Sequence, residues 1–252
     1  MSAAAELSRD SVGCKIDDYD LRSFTRVLAW FGSDRYGYVV TPNVDHLIRY
    51  REDPSFRALY RSADYAVLDS RVVARALRLA KGIRLGVCTG SDLTATLLSQ
   101  VVSSDDRVLL VGCSRTQAET LAAKFVLTNV RHHEPPLGFI ADPQAVQSCL
   151  EFIESQSPFR FCFLALGSPQ QEMIAYQLRC RGRARGLVLC VGAALNFLTG
   201  VEKRAPRWLQ RLALEWLYRL CQDPRRLAGR YLVRGPRIFG YLLRDRVVLL
   251  KR

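Results

Sequence analysis

FRFCFLALGSPQQEMIAYQLRCR, residues 159–181, changes its period partway along. Residues 159–167 form an almost unbroken apolar run, the pattern of a strand buried on both faces. A break of small residues follows at Gly167-Ser168-Pro169, and from Gln170 onward polar and apolar residues recur at helical spacing. A buried strand that runs directly into a helix is the repeating part of a parallel α/β sheet.

The same alternation extends in both directions. YGYVV (36–40) ends in Thr41-Pro42-Asn43, and residues 44–51 follow with helical spacing. Asp53-Pro54 reads as an N-cap with proline in the first helical position, opening SFRALYRSA. YAVL (65–68) runs into Asp69-Ser70 and the arginine-rich helix RVVARALRLA. RVLLVG (107–112) precedes a helix around 116–128, ADPQ (141–144) caps a helix to about 156, and LVLCVG (187–192) is the last clear strand. The expectation is an α/β fold: a Rossmann-like, mostly parallel sheet flanked by helices, with a basic helical C-terminal appendage.

The chain has 252 residues and a net charge of +13, and the charge is unevenly placed. Residues 203–252 hold 14 Lys/Arg against 3 Asp/Glu, a net of +11, which leaves +2 for residues 1–202. A nearly neutral body with a cationic tail predicts an anionic partner for the tail. No apolar stretch reaches the roughly 18–20 residues that span a bilayer, and the first residues, MSAAAELSRDSVGCKIDD, lack the pattern of a secretory signal. Eight cysteines without a CxxC pair, several inside apolar runs, predict a reducing compartment with neither a zinc site nor a disulfide framework.

In parallel sheets, ligands bind outside the carboxyl ends of the strands. That rule selects TPN (41–43), DS (69–70), GCSRT (112–116), LGSPQQE (166–172) and GAALNFLTG (192–200). Neither GxGxxG nor GxxxxGK[ST] is present, so the usual phosphate cradles are missing.

The segments TPNVDHL, DPSFRALYRSADYAVLDS, TGSDL (89–93), PPLGF (135–139), LGSPQQE, GAALNFLTGVEKRAP and LEWLYRLCQDPRR occur in that order over about residues 35–231. In order and spacing they resemble the WecG/TagA/CpsF family of bacterial glycosyltransferases (glycosyltransferase family 26). The resemblance implies transfer of a sugar from a UDP-sugar to an undecaprenyl-diphosphate-linked sugar, in the synthesis of cell-surface polysaccharide or exopolysaccharide. It implies an inverting, metal-independent enzyme with no cofactor. Residues 1–202 would be the catalytic α/β domain. Residues 203–252 would be an appendage that binds the anionic membrane surface and completes the active site. The enzyme would then sit peripherally on the cytoplasmic face of the plasma membrane. Nucleic acid is not expected, because no RNA- or DNA-binding motif accompanies the charge. Whether the protein is a homo-oligomer stays open.

Inverting transfer needs a base for the acceptor hydroxyl and positive charge for departing UDP. Asp69 matches the family's proposed base, although at this position it can equally N-cap the following helix. Thr41 and Asn43 match a TxN-like element that orients substrate, against the alternative of a plain turn. Gln171 belongs to the PxQE element at the donor, with Glu172 as a first-turn helix charge. Gly192 and Asn196 fall where the nucleotide approaches. In the tail, Arg219 and Arg226 match family positions that meet a diphosphate, and Arg230 is a further candidate. The three histidines and the cysteines lack the partners of catalysts or ligands.

Two positions depart from the family pattern. Ser70 stands where glycine usually follows the aspartate, and Val87 where an arginine is common ahead of TGSDL, with Arg84 three residues earlier. These changes motivate an alternative, a catalytically impaired relative that binds UDP or lipid-diphosphate without transfer. The tail segment RAPRWLQRLALEWLYRL (204–220) reads as one amphipathic helix with Trp208, Leu209, Leu212, Ala213, Trp216, Leu217 and Leu220 on a single face. Of these, Trp208 and Leu212 are expected to pack on the core.

Overall fold

The computed structural model of the chain describes residues 14–244 and 249–250. Most of the N-terminal stretch read for a secretory signal lies outside the described residues.

Eight strands are present among the described residues: β1 (Ile16–Asp17), β2 (Tyr36–Val40), β3 (Tyr65–Ala66), β4 (Val108–Val111), β5 (Val130–His133), β6 (Phe161–Leu164), β7 (Gly186–Cys190) and β8 (Leu249–Leu250). Six of them form one all-parallel sheet in the order β3-β2-β7-β6-β4-β5. The other two, β1 and β8, pair with each other in parallel.

Up to the end of the body the helices are α1 (Leu21–Ala29), α2 (Val44–Glu52), α3 (Pro54–Arg61), α4 (Arg71–Lys81), α5 (Gly90–Gln100), α6 (Arg115–Phe125), α7 (Pro143–Ser155), α8 (Gln170–Arg181) and α9 (Ala194–Thr199). Alternate strand residues serve opposite layers. Val39, Leu110, Phe163 and Leu189 are buried with α1, α5, α6 and α9. Val40, Val111, Leu164 and Cys190 are buried with α2, α3, α7 and α8. Burial on both faces is why these strands read as continuous apolar runs rather than alternating ones. The predicted helix starts hold at Asp53 and Asp142, whose carboxylates accept from backbone N–H groups of the first helical turn, each ahead of a proline.

The tail departs from expectation. Residues 204–220 do not form one helix: α10 (Arg207–Arg211) and α11 (Glu215–Gln222) are separated by Ala213, whose φ is +60°. The break has a cause in α4. The Arg75 guanidinium donates to the carbonyl of Leu212 at 2.6 Å and also to that of Arg211, taking acceptors at the end of α10. Trp208 is 60 % and Leu212 51 % exposed, so neither packs on the core as expected.

Beyond α11 come α12 (Pro224–Ala228), a π-helical turn (Gly229–Arg234) and α13 (Arg237–Arg244). Ile238 and Leu242 of α13 join Ile16, Ile48, Leu68, Val73 and Leu77 in a third apolar cluster, which fixes α13 against α2 and α4. Among the described residues, no helix is long and apolar enough to cross a membrane.

Replacing Arg75 with alanine should free the end of α10 while leaving the sheet intact. Hydrogen bonds from a charged donor contribute about 1.5–3 kcal/mol each, so amide exchange at residues 212–214 should accelerate roughly tenfold or more, without change in the strands. Unaltered exchange there would show that Arg75 does not hold the turn.

Candidate active site

Asp69 follows β3, and its backbone N–H donates to the carbonyl of Pro42 at 2.9 Å, which joins the ends of β3 and β2. The residue that caps α4 is Ser70: its hydroxyl oxygen accepts from the Val73 N–H at 3.2 Å. Asp69 is therefore relieved of capping, and its carboxylate turns instead to α5, accepting from the Gly90 N–H at 3.3 Å. Ser70 has φ −159°, an extended conformation open to any residue, so the missing glycine carries no conformational cost here.

Packing around the Asp69 carboxyl removes water from its charged form, and this burial lifts its pKa to about 7. The Gly90 hydrogen bond and the Arg204 charge work in the opposite direction, while Glu215 and Asp92 reinforce the rise. Asp92 behaves differently. Burial again opposes its charge, yet the Arg204 guanidinium, 2.5 Å from Oδ1, holds it below the usual carboxylate range. Two carboxyl groups in one site thus have their proton affinities driven apart, one poised near neutrality and one kept ionised.

Arg204 also donates to the Thr89 hydroxyl at 3.2 Å and lies 3.8 Å from Glu215, while Arg71 lies 3.8 Å from Asp92. Cationic groups therefore stand beside TGSDL even though Val87 supplies none and Arg84 is exposed. Neither Arg204 nor Asp92 was singled out from the sequence. The Thr89-x-x-Asp92 spacing of a helix cap was the legible signal for the carboxylate; Arg204 is one arginine among many in a basic tail.

The remaining candidates line the ends of neighbouring strands. Thr41 is buried, and its hydroxyl donates to the Cys190 carbonyl at 3.1 Å, tying β2 to β7. Asn43 caps α2 through Oδ1, which accepts from the Asp45 and His46 N–H groups. Among the described residues, its amide nitrogen has no hydrogen-bond partner. Gln171 is 2 % exposed; its Oε1 accepts from the Gly192 N–H at 2.9 Å and its Nε2 donates to Glu172 at 3.0 Å. Gly192 has φ +56°, which glycine adopts at little cost, and the Gln171 amide fixes that turn.

Glu172 does lie in the first turn of α8, but it is fully buried with its pKa raised by burial, and it braces Gln171 from within the core. Asn196 is turned to its own neighbourhood, accepting from Gln117 at 2.9 Å and donating to Glu202 at 3.0 Å.

The three tail arginines occupy distinct places. Arg230 comes within 3.4 Å of Asn43 and 3.6 Å of Asp45, at the end of β2. Arg219 lies 3.8 Å from Glu202 and over the Phe197 ring, on the β7 side. Arg226 pairs with Asp223 on its own helix at 2.5 Å and is largely exposed. His46 is buried beside Arg230, and burial foremost takes its pKa down to about 3, leaving a neutral imidazole in contact with the Tyr60 hydroxyl at 2.9 Å. His132 contacts the Cys113 carbonyl at 2.6 Å and His133 stacks on Phe152. Among the described residues, no three His, Cys, Asp or Glu side chains are grouped to hold a metal ion, and the eight cysteines are free thiols.

The raised affinity of Asp69 sets a stability test. Below the ordinary carboxylate value, about pH 4, the group is neutral in both folded and unfolded chains; above it, the unfolded chain ionises first, and the penalty on folding is complete above about pH 7. Asp69→Asn should therefore raise Tm at about pH 8, with the gain shrinking toward pH 5. An equal or lower Tm at pH 8 would contradict the burial argument.

A family model described as the glycosyl transferase WecG/TagA/CpsF family matches residues 9–252. The match takes in the body, the strand-end residues around Asp69 and the basic tail alike. The chain belongs to the WecG/TagA/CpsF family of glycosyl transferases.

Proposed function

We propose that the protein is an inverting, metal-independent transferase that moves a sugar from a UDP-sugar to an undecaprenyl-diphosphate-linked sugar, with Asp69 as the base. The observation that carries this reading is the Asp69 carboxyl itself: near a strand end, relieved of capping by Ser70, and brought by burial to a pKa of about 7. A base poised near the working pH combines the right protonation state with a useful driving force.

In the proposed step, the Asp69 carboxylate takes the proton of the acceptor hydroxyl as that oxygen attacks the anomeric carbon. The bond from that carbon to UDP breaks on the opposite face, so configuration inverts. Positive charge accumulates on the sugar and negative charge on the departing diphosphate. Arg219, Arg226 and Arg230 are the groups we assign to that diphosphate, since guanidinium forks match phosphate oxygens in pairs. Arg226 would leave Asp223 to do so. Thr41, Asn43, Gln171 and Gly192 shape the sugar and nucleotide subsites, Thr41 and Gln171 chiefly by fixing the strand ends. Asn196 acts through the Gln117–Glu202 network that supports the loop.

The segment from residue 203 onward serves in this reading as an appendage that completes the site and rests on an anionic membrane surface at the cytoplasmic face. Its contacts support the first role: Arg204 meets Asp92, and Arg230 meets Asn43. The exposed apolar side chains Trp208, Leu212 and Leu232, interleaved with arginine, support the second. Val87, lacking the arginine common in relatives, favours one other reading: a protein that binds UDP or lipid-diphosphate without transfer.

The test is UDP release from a panel of UDP-sugars, with vesicles carrying a lipid-diphosphate monosaccharide. Release should depend on the acceptor and fall about 10²–10⁴-fold in Asp69→Asn, with UDP binding retained. In the unaltered enzyme, kcat/KM should rise with pH to a plateau, with a midpoint near the Asp69 value of about 7. Full activity in the variant would remove the base assignment. No release from any donor, with UDP still bound, would favour the binding protein or a different acceptor.

A further inference from the structure

Arg204 stands between two helices from distant parts of the chain. Toward α5, its Nη1 donates to the Asp92 carboxylate at 2.5 Å and its Nη2 to the Thr89 hydroxyl oxygen at 3.2 Å. Toward α11, its Nε lies 3.8 Å from the Glu215 carboxylate. The backbone here is fixed as well: Ala205 is buried, and its carbonyl accepts from the Gln210 side chain of α10 at 2.7 Å. A guanidinium that gives two donors to two partners on one helical turn has a set orientation as well as a charge.

Those two partners form the cap of α5. The Asp92 N–H donates to the Thr89 hydroxyl oxygen at 3.2 Å, and the Thr89 hydroxyl donates to the Asp92 carboxylate at 2.8 Å. Gly90, the first residue of that turn, sends its N–H to Asp69 at 3.3 Å. A Cβ at Gly90 would meet the Val191 carbonyl at 3.4 Å and the Thr41 hydroxyl at 3.5 Å, so the turn already rests against the strand ends. The bond to Asp69 is near the long limit for N–H···O, where a small tilt of the turn decides whether it is made.

We propose that Arg204 is a positioning residue for Asp69: clamped on the Thr89–Asp92 cap, it holds the Gly90 N–H on the Asp69 carboxylate and brings a positive charge to offset Asp92. Because Arg204 belongs to the basic segment, the seating of that segment on α5 sets the strength of the base. The inference rests on the reading of Asp69 as the base and adds a residue that acts on it without touching substrate.

The charged groups around Asp69 give the sign of the effect. The Gly90 N–H and Arg204 favour its carboxylate, while Glu215 of α11 and Asp92 of α5 oppose it. The Cys88 thiol, just ahead of α5, is pushed up by burial and stays neutral. On α4, Arg71 lies 3.8 Å from Asp92 and shares in its neutralisation. Removing the Arg204 guanidinium weakens both supports of the Asp69 charge and frees Asp92 to act against it. Removing the Asp92 charge does the reverse.

The experiment is the titration of the Asp69 carboxyl carbon by NMR in full-length variants. It needs no sugar transfer, so failure of the clamp is told apart from failure of the base assignment, which would show as full activity in Asp69→Asn. Arg204→Gln should raise the midpoint and Asp92→Asn should lower it, each by about half a pH unit or more. Arg204→Lys keeps the charge and loses the two-point contact, so its midpoint should fall between those of Arg204→Gln and the unaltered protein. In turnover, the Arg204→Gln deficit in kcat/KM should be about threefold or more near pH 6 and shrink toward the alkaline plateau, a recovery that a merely structural defect would not show. An unmoved midpoint in Arg204→Gln, or shifts of the same sign in Arg204→Gln and Asp92→Asn, would overturn the proposal. Where Arg204→Gln does not fold, Arg204→Lys and Asp92→Asn decide: midpoints of both at the unaltered value would overturn it.

Discussion

A half-buried carboxyl group at a strand end, with no close cation partner among the described residues, is costly to ionise, and the candidate site is organised around that cost at Asp69. Its charged form receives one long hydrogen bond, from Gly90, and among the described residues no arginine is in direct contact with it. Had Asp69 capped α4, several backbone N–H groups would have stabilised its charge and lowered its affinity for protons. Ser70 takes that duty. The division of labour between two adjacent residues turns an ordinary helix start into a candidate base.

The surroundings keep that state by spending the available cations elsewhere. Arg204 neutralises Asp92 and braces Thr89, whose cap sets α5 so that Gly90 faces Asp69. On the other side of the cleft, the buried chain from Glu172 through Gln171 to Gly192 sets the turn after β7. The Gln171 amide is buried and paired at both its oxygen and its nitrogen, so its loss would leave the Gly192 N–H and Glu172 Oε1 unsatisfied. Because Arg204 and Arg230 come from the basic segment, the tail belongs to the site's electrostatics as well as to its outer surface.

The fold was legible because a parallel sheet covered on both faces writes itself as apolar runs, as in VLLV (108–111) and FCFL (161–164), each followed by a helix start. β1 was not: two residues carry no periodicity, and the strand is defined by its pairing with β8 near the other end of the chain. Asp69 could be located but not distinguished from a cap, since aspartate and serine are both good caps and only the backbone decides between them. The Arg204–Asp92 pair joins residues 112 positions apart, beyond any local pattern. The tail's apolar spacing was real, but spacing assumes a continuous helix. The Arg75 contacts that end α10 come from a different part of the chain.

The central claim concerns a proton affinity, and the most direct measurement is a titration of the Asp69 carboxyl carbon by NMR, with Asp69→Asn used to assign the signal. The account predicts a midpoint near 7, with Asp92 titrating well below it. A midpoint for Asp69 near the ordinary aspartate value of about 4 would contradict it.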